Sequence, residues 1–445
     1  MARTVAGRKA NLRPTVVALL VAVTVATLVV SGLIGGRAVH ADTTFTVTNT
    51  NDSGAGSLRQ AITDANATTG PDTITFNIPA ASDLGCDSGS GVCTISPTTP
   101  LPPITDTVTI DGYTQPGSKQ NTLAVGNDAV LKIELDGSDT DFANGLELDP
   151  FGTAPENVVR GLVINDFEPA GIFVGGTGNR IEGNFIGTDP SGTEREGNLS
   201  GMDVGGTNNF VGGTSPAARN IISGNRETGL QLGSGSSGIR VWGNYIGTNK
   251  DGTKPLANRT RGVWISGSSD NTIGGLKSEK ANKIAFNGSN GVRIEESATS
   301  IANGNRIARN SIFANGALGI DLQGDGPTPN DNKDRDGGPN TLQNNPRLTS
   351  AATTGTKIIM QGHLRSTPND TFTIRFFANR SDEPRGYEGR TYLGTKSVST
   401  DATGEVSFTK TLSAKVNAGQ RLTATATGPG GNTSEFSAPQ KVVKQ

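Results

Sequence analysis

A short phrase recurs seven times between residues 145 and 322: glycine, an apolar residue, a variable residue, then a second apolar residue. The copies begin at Gly145, Gly171, Gly201, Gly229, Gly262, Gly291 and Gly319, spaced by 26, 30, 28, 33, 29 and 28 residues. Repetition at this period marks stacked supersecondary units, because one unit cannot bury its apolar face alone. Read as a strand, each phrase turns its second and fourth residues inward and its third outward. The outward positions form a column: Glu147, Phe173, Asp203, Gln231, Trp264, Arg293 and Asp321.

Composition agrees with many short strands and tight turns. The chain has 61 glycines in 445 residues, 33% hydrophobic and only 5% aromatic residues, and glycine supplies the positive φ that such turns need. Residues 1–41 read as a secretory signal peptide: Arg3, Arg8, Lys9 and Arg13, then an apolar run from Thr15 to Ile34, then Val39-His40-Ala41. The run is long enough to span a bilayer, so an uncleaved anchor is the competing reading; no other segment has that character. Without the leader the chain carries 34 basic against 41 acidic residues, which is no nucleic-acid footprint. Cys86 and Cys93 lie in a Gly/Ser/Asp stretch with no metal-ligand partner nearby. In an exported protein a local disulfide is favoured over two free thiols.

A second level of order overlies the phrase. Asn179-Arg180-Ile181-Glu182-Gly183-Asn184 returns sixty residues later as Ile239-Arg240-Val241-Trp242-Gly243-Asn244. Asn209-Phe210-Val211-Gly212-Gly213 returns as Asn271-Thr272-Ile273-Gly274-Gly275. Coils therefore alternate in two kinds. Asn184, Asn244 and Asn310 occupy equivalent turn positions and are expected to stack into a hydrogen-bonded ladder. Seven coils at a rise of about 4.8 Å make a section of about 30 Å.

Upstream, Ser57-Leu58-Arg59-Gln60-Ala61-Ile62 to Asn66 is the one convincing helix, with Leu58, Ala61, Ile62 and Ala65 as its apolar stripe. Ser57 is placed to cap it and Gln60 to complete a capping box. A lone helix at the start of an array suggests a cap over an open strand edge. From about Arg347 short alternating strands with turn signals predict a β-sandwich.

The segment Gly56-Ser57-Leu58-Arg59-Gln60-Ala61-Ile62 with Ala65-Asn66, and Ile110-Asp111-Gly112-Tyr113-Thr114-Gln115-Pro116-Gly117 downstream, resembles extracytoplasmic proteins with a CSLREA motif. Gly56 stands where that family has cysteine, and Gln60 where it has glutamate. The resemblance implies a right-handed parallel β-helix related to the pectin-lyase-like fold. It also implies secretion and a C-terminal module like the one ending here in Gly431-Asn432-Thr433-Ser434-Glu435-Phe436. The expected architecture is all-β: signal peptide 1–41, β-helix with N-terminal capping helix 42–346, β-sandwich 347–445.

Both tryptophans, Trp242 and Trp264, fall at outward strand positions, where an exposed indole forgoes its burial stabilisation unless a partner covers it. Phe173, Asp203, Trp242, Trp264 and Arg293 are therefore the candidate carbohydrate-binding residues, aromatic platforms beside groups that fix hydroxyls. The competing reading has the indoles stacked on neighbours or covered by turns. Catalysis is less well supported. His363, in the sandwich, is the one histidine after the leader, and the His-Gly and aspartate motifs of polygalacturonases are not present. Glu147 and Asp203, two coils apart, lie near the separation of about 6.5–9.5 Å used in inverting hydrolysis. In the loop 325–340, Asn332, Asp334 and Asp336 before Gly337 echo half of a calcium loop, with Gln343 where the bidentate glutamate belongs. Calcium is the cation these oxygens would take; a hydrated linker with Asx turns is the alternative. The expectation is a secreted or cell-surface monomer, non-catalytic, binding a polysaccharide or cell-envelope glycan along one face. The alternatives are a polysaccharide lyase or glycoside hydrolase and, third, an adhesin with protein partners.

Overall fold

The computed structural model of the protein describes residues 42–150, 152, 156–383 and 386–445; the basic-apolar leader lies outside them. Within this range the chain forms a right-handed parallel β-helix followed by an antiparallel β-sandwich. The helix is built from three parallel sheets, to which successive coils contribute one strand each. The first sheet has nine strands, from Thr44–Val47 to Arg306–Ala308. The second has eight, from Cys93–Ile95 to Ser311–Phe313. The third has seven, from Leu146–Leu148 to Ile320–Leu322, one for each copy of the phrase. Among the described residues no helix is long and apolar enough to cross a membrane.

The phrase has a steric cause. Its second and fourth residues, such as Leu230 and Leu232 or Val263 and Ile265, are fully buried in the interior of the coils. Its glycines lie under one another, with no room for a side chain. A Cβ at Gly145, Gly171, Gly201, Gly229, Gly262 or Gly291 would come under 3.0 Å from the carbonyl oxygen of the next phrase glycine. At Gly171, Gly201, Gly229 and Gly262 it would also meet the amide of a buried asparagine at that distance.

Those asparagines form three ladders rather than one. Between the first and second sheets, Asn184, Asn220, Asn244, Asn282 and Asn310 stack; each Oδ1 after the first accepts both the backbone N–H and the side-chain N–H of its predecessor. Beyond the second sheet, Asn198, Asn225, Asn258, Asn287 and Asn315 do the same through their side chains. Before the first sheet, Asn157, Asn179 and Asn209 form a shorter run. There Ile239 interrupts the stack, and Asn271, Asn305 and Asn340 resume it.

Both ends of the coil stack are closed. Helix α1 (Leu58–Ala67) starts at Ser57, whose side chain accepts the N–H of Gln60. Gln60 does not complete a capping box; its amide donates to Asp64 instead, at 2.8 Å. Leu58, Ala61, Ile62 and Ala65 join the helix core. At the other end the sandwich inserts Phe377 and Phe436 into that same core. Its two four-stranded sheets enclose a separate core around Ile358, Met360, Phe376 and Leu422. Glu388, 2% exposed, accepts the N–H groups of Ala314 and Asn315 at 2.8 and 2.9 Å, which ends one asparagine ladder. A disulfide joins Cys86 to Cys93.

Asn244 is fully buried; its amide donates to Val211 O at 2.9 Å and Asn282 Oδ1 at 3.1 Å while its Oδ1 serves Asn220. Asn244→Ala leaves buried donors and acceptors unpaired on both neighbouring coils. It is expected to cost about 3 kcal/mol of stability, read by urea unfolding.

Candidate functional site

The third sheet places the variable residues of the phrase in one continuous register: Glu147, Phe173, Asp203, Gln231, Trp264, Arg293 and Asp321 are successive Cα partners. Parallel pairing at each step puts them at about 4.8 Å intervals along the sheet. The column is not uniform. Glu147 accepts a hydrogen bond from the Asn144 amide at 2.7 Å. Asp203, half-buried between Phe173 and Gln231, has no hydrogen-bond or ion-pair partner among the described residues, and burial alone pushes its carboxyl up to about 6. Beside it the next outward positions are Gly205 and Gly233, where an added Cβ would find no atom nearer than 3.3 Å. The two glycines leave a low shelf beside Asp203 and Gln231, with Phe173 one strand before them and Trp264 one strand after in the same row.

Trp264 is half-buried and held on both sides. Its indole N–H donates to Glu295 Oε1 at 2.6 Å, and the Arg261 guanidinium sits 4.6 Å from its ring centroid. Glu295 also pairs with Arg293. The far end of the column departs from the sequence expectation. Asp321 is 4% exposed, accepting from the Asn290 amide and the Gly324 N–H. The Gln323–Gly324 turn packs over the Arg293 guanidinium. The half-exposed run therefore reaches from Glu147 to Arg293, whose guanidinium meets the Gln323–Gly324 turn, and Asp321 beyond it is buried.

Trp242 belongs to a different sheet. It lies in the first, on strand Arg240–Trp242, where it meets Phe210 edge-on at 6.0 Å and carries the Lys280 amine 3.7 Å above its ring. The two indoles thus serve separate faces. The sequence separates them too, since Trp264 belongs to the glycine phrase and Trp242 to the sixty-residue repeat on a neighbouring strand.

The loop before the sandwich gathers Asp331, Asp334 and Asp336, each offering one oxygen within 4.8 Å of the others. Asn332, expected among the ligands, is exposed, and Asp331 adds a third carboxylate to Asp334 and Asp336. An all-oxygen set of this kind suits a hard cation such as calcium. Asp334 is also a tether: it accepts from Gln343 Nε2, Ser366 Oγ and the Asn344 N–H at 2.6–2.8 Å. Burial and the neighbouring Asp336 and Asp331 push its carboxyl up to about 6. On the second sheet, the Asn165 amide donates to both Glu134 and Glu196 at 2.9 Å. Burial first, then the charge of Glu134, pushes Glu196 up to about 7.

No family model and no curated protein matches this chain. Among solved structures, the chain is similar to a periplasmic alginate epimerase at 17% identity and a TM-score of 0.31, over 57% of this chain and 56% of that one. A full-length tailspike protein 2 from Escherichia coli O157:H7 bacteriophage CAB120 is matched at 10% identity and a TM-score of 0.25, over 90% of this chain and 64% of that one. An alginate lyase from Paenibacillus sp. str. FPU-7 is matched at 13% identity and a TM-score of 0.26, over 63% of this chain and 97% of that one. The chain thus spans less than two thirds of the length of the first two.

Residues missed from sequence include Glu295, which ties Trp264 to Arg293, and Glu435. Glu435, 3% exposed, accepts the N–H groups of Leu322 and Thr328 at 3.0 and 2.9 Å, and burial pushes it up to about 7. Asp203, Glu196 and Glu435 all sit above ordinary carboxyl values, so between about pH 5 and 7 these groups hold protons in the folded chain that they have released in the unfolded one. Stability therefore rises as pH falls through these folded values toward the unfolded ones. The melting temperature is expected to be higher near about pH 5 than near about pH 8.

Proposed function

We propose that the protein is an exported, extracellular or cell-surface β-helix that binds a carbohydrate along the outward row of its third sheet, without catalysis. The observation that carries this reading is the half-exposed run Phe173, Asp203, Gln231 and Trp264 in one register beside the Gly205 and Gly233 shelf. Flat rings at either end with a carboxyl and an amide between them suit a sugar chain laid along the sheet: the rings take its apolar faces, the polar groups its hydroxyls. Trp264 is fixed by Glu295 and Arg261, so little side-chain freedom is lost on binding.

A polysaccharide lyase or hydrolase is the second reading, favoured by one feature. Asp203 is unpaired and raised to about 6, as a proton-donating carboxyl requires. Glu147, the other carboxyl of the row, is held by Asn144 two strand spacings away.

A glycan array with the mature protein tests the reading. Phe173→Ala with Trp264→Ala is expected to weaken the strongest hits by about tenfold or more, as loss of buried aromatic anchors does. Unchanged binding removes the site. Product formation from any bound polysaccharide that is lost in Asp203→Asn decides for the enzyme instead.

A further inference from the structure

The two alternating kinds of coil place arginine on every second rung of the first sheet. Its outward column reads Arg180, Phe210, Arg240, Thr272, Arg306 in continuous register. Consecutive arginines are two strand spacings apart, about 9.6 Å. The Arg180 and Arg240 guanidiniums stack on the same ring, 4.3 and 4.9 Å from the Phe210 centroid. Next to them stands Trp242, with the Lys280 amine over its face and a buried indole N–H that has no acceptor in the protein.

This face is rich in donors and short of acceptors. Among the described residues, none of Arg180, Arg240, Lys280 or Arg306 takes part in an ion pair within 4.0 Å. The acidic neighbours are few: Glu279 pairs with Lys277, and Glu182, on the Arg180 strand, lies in register with Arg160, which itself pairs with Asp111. Bringing like charges to one ring costs energy unless an anion completes the arrangement. Stacking on Phe210 holds the two guanidiniums flat and leaves their N–H edges free for bidentate contacts with carboxylate or sulfate.

The geometry points to a binding site for a linear anionic polysaccharide, laid along the first sheet with an acidic group at each arginine. A separation of two rungs is close to the length of one disaccharide in an extended chain, so arginines on alternate rungs meet an acidic group on every second sugar, as a polyuronate offers. The arginines form a single narrow row on a chain that carries 34 basic against 41 acidic residues after its leader. That charge balance disfavours a duplex nucleic acid or an anionic membrane, which need a broad basic surface. The site is separate from the third-sheet row and does not depend on it.

The test is binding of labelled polygalacturonate, compared with its fully methyl-esterified and therefore uncharged form. Polygalacturonate is expected to bind and to weaken steeply with added salt, and the ester is not. Arg180→Gln with Arg240→Gln is expected to weaken binding about tenfold at low salt and to flatten the salt dependence. Thr272→Glu, which leaves the Phe210 stack untouched, is expected to weaken it as well, and thermal melts verify that both variants fold. Phe173→Ala with Trp264→Ala leaves this binding unchanged. Equal binding of the ester overturns the site, as does parent-like affinity in both first-sheet variants. Tighter binding of duplex DNA or phosphatidylglycerol vesicles through the same arginines overturns the choice of partner.

Discussion

The structure depends on asparagines buried in its turns. A solenoid coil of short strands must turn sharply three times, and every turn exposes backbone N–H and C=O groups to an interior without water. Here Asn184 through Asn310 and Asn198 through Asn315 supply the missing partners. Each amide reaches both a carbonyl of the preceding coil and the asparagine of the next. A buried polar network stabilises a fold only when all its members are satisfied. That explains why the ladder must end on a defined acceptor, and Glu388 of the sandwich provides one.

With the coils held in register, side chains on the outer faces are ordered without having to hold the fold together. The outward residues of each sheet stand in straight rows at a fixed spacing, which is a geometry for reading an extended chain. The third sheet presents rings, a carboxyl and an amide; the first presents guanidiniums on alternate rungs. The difference follows from the inner residues being nearly interchangeable aliphatics while the outer ones vary freely. Two faces with different chemistry can thus share one scaffold.

Much of this was legible in the chain itself. The glycine phrase located every strand of the third sheet, because from Gly145 to Gly291 each phrase glycine lies against the carbonyl of the next one and the same crowding recurs coil after coil. The outward column and the helix cap at Ser57 followed from periodicity in the same way. What was not legible depends on contacts between residues far apart in sequence. Two of the three ladders, one through Asn225 and Asn258 and one through Asn179 and Asn209, use asparagines whose spacing varies with turn length. Asp321 looks exposed by its alternation, but it is 4% exposed, enclosed by the Asn290 amide and the Gly324 N–H. Asp331 joins Asp334 and Asp336 because the loop folds back onto Asn344 and Ser366, which no local pattern announces.

Native-state amide hydrogen exchange tests the dependence on the ladders most directly. The backbone N–H groups of Asn184, Asn220, Asn244 and Asn282 should be among the slowest in the molecule, exchanging only on global unfolding. Exchange of these amides as fast as those in the exposed turns, while the aliphatic strands remain protected, would contradict the account.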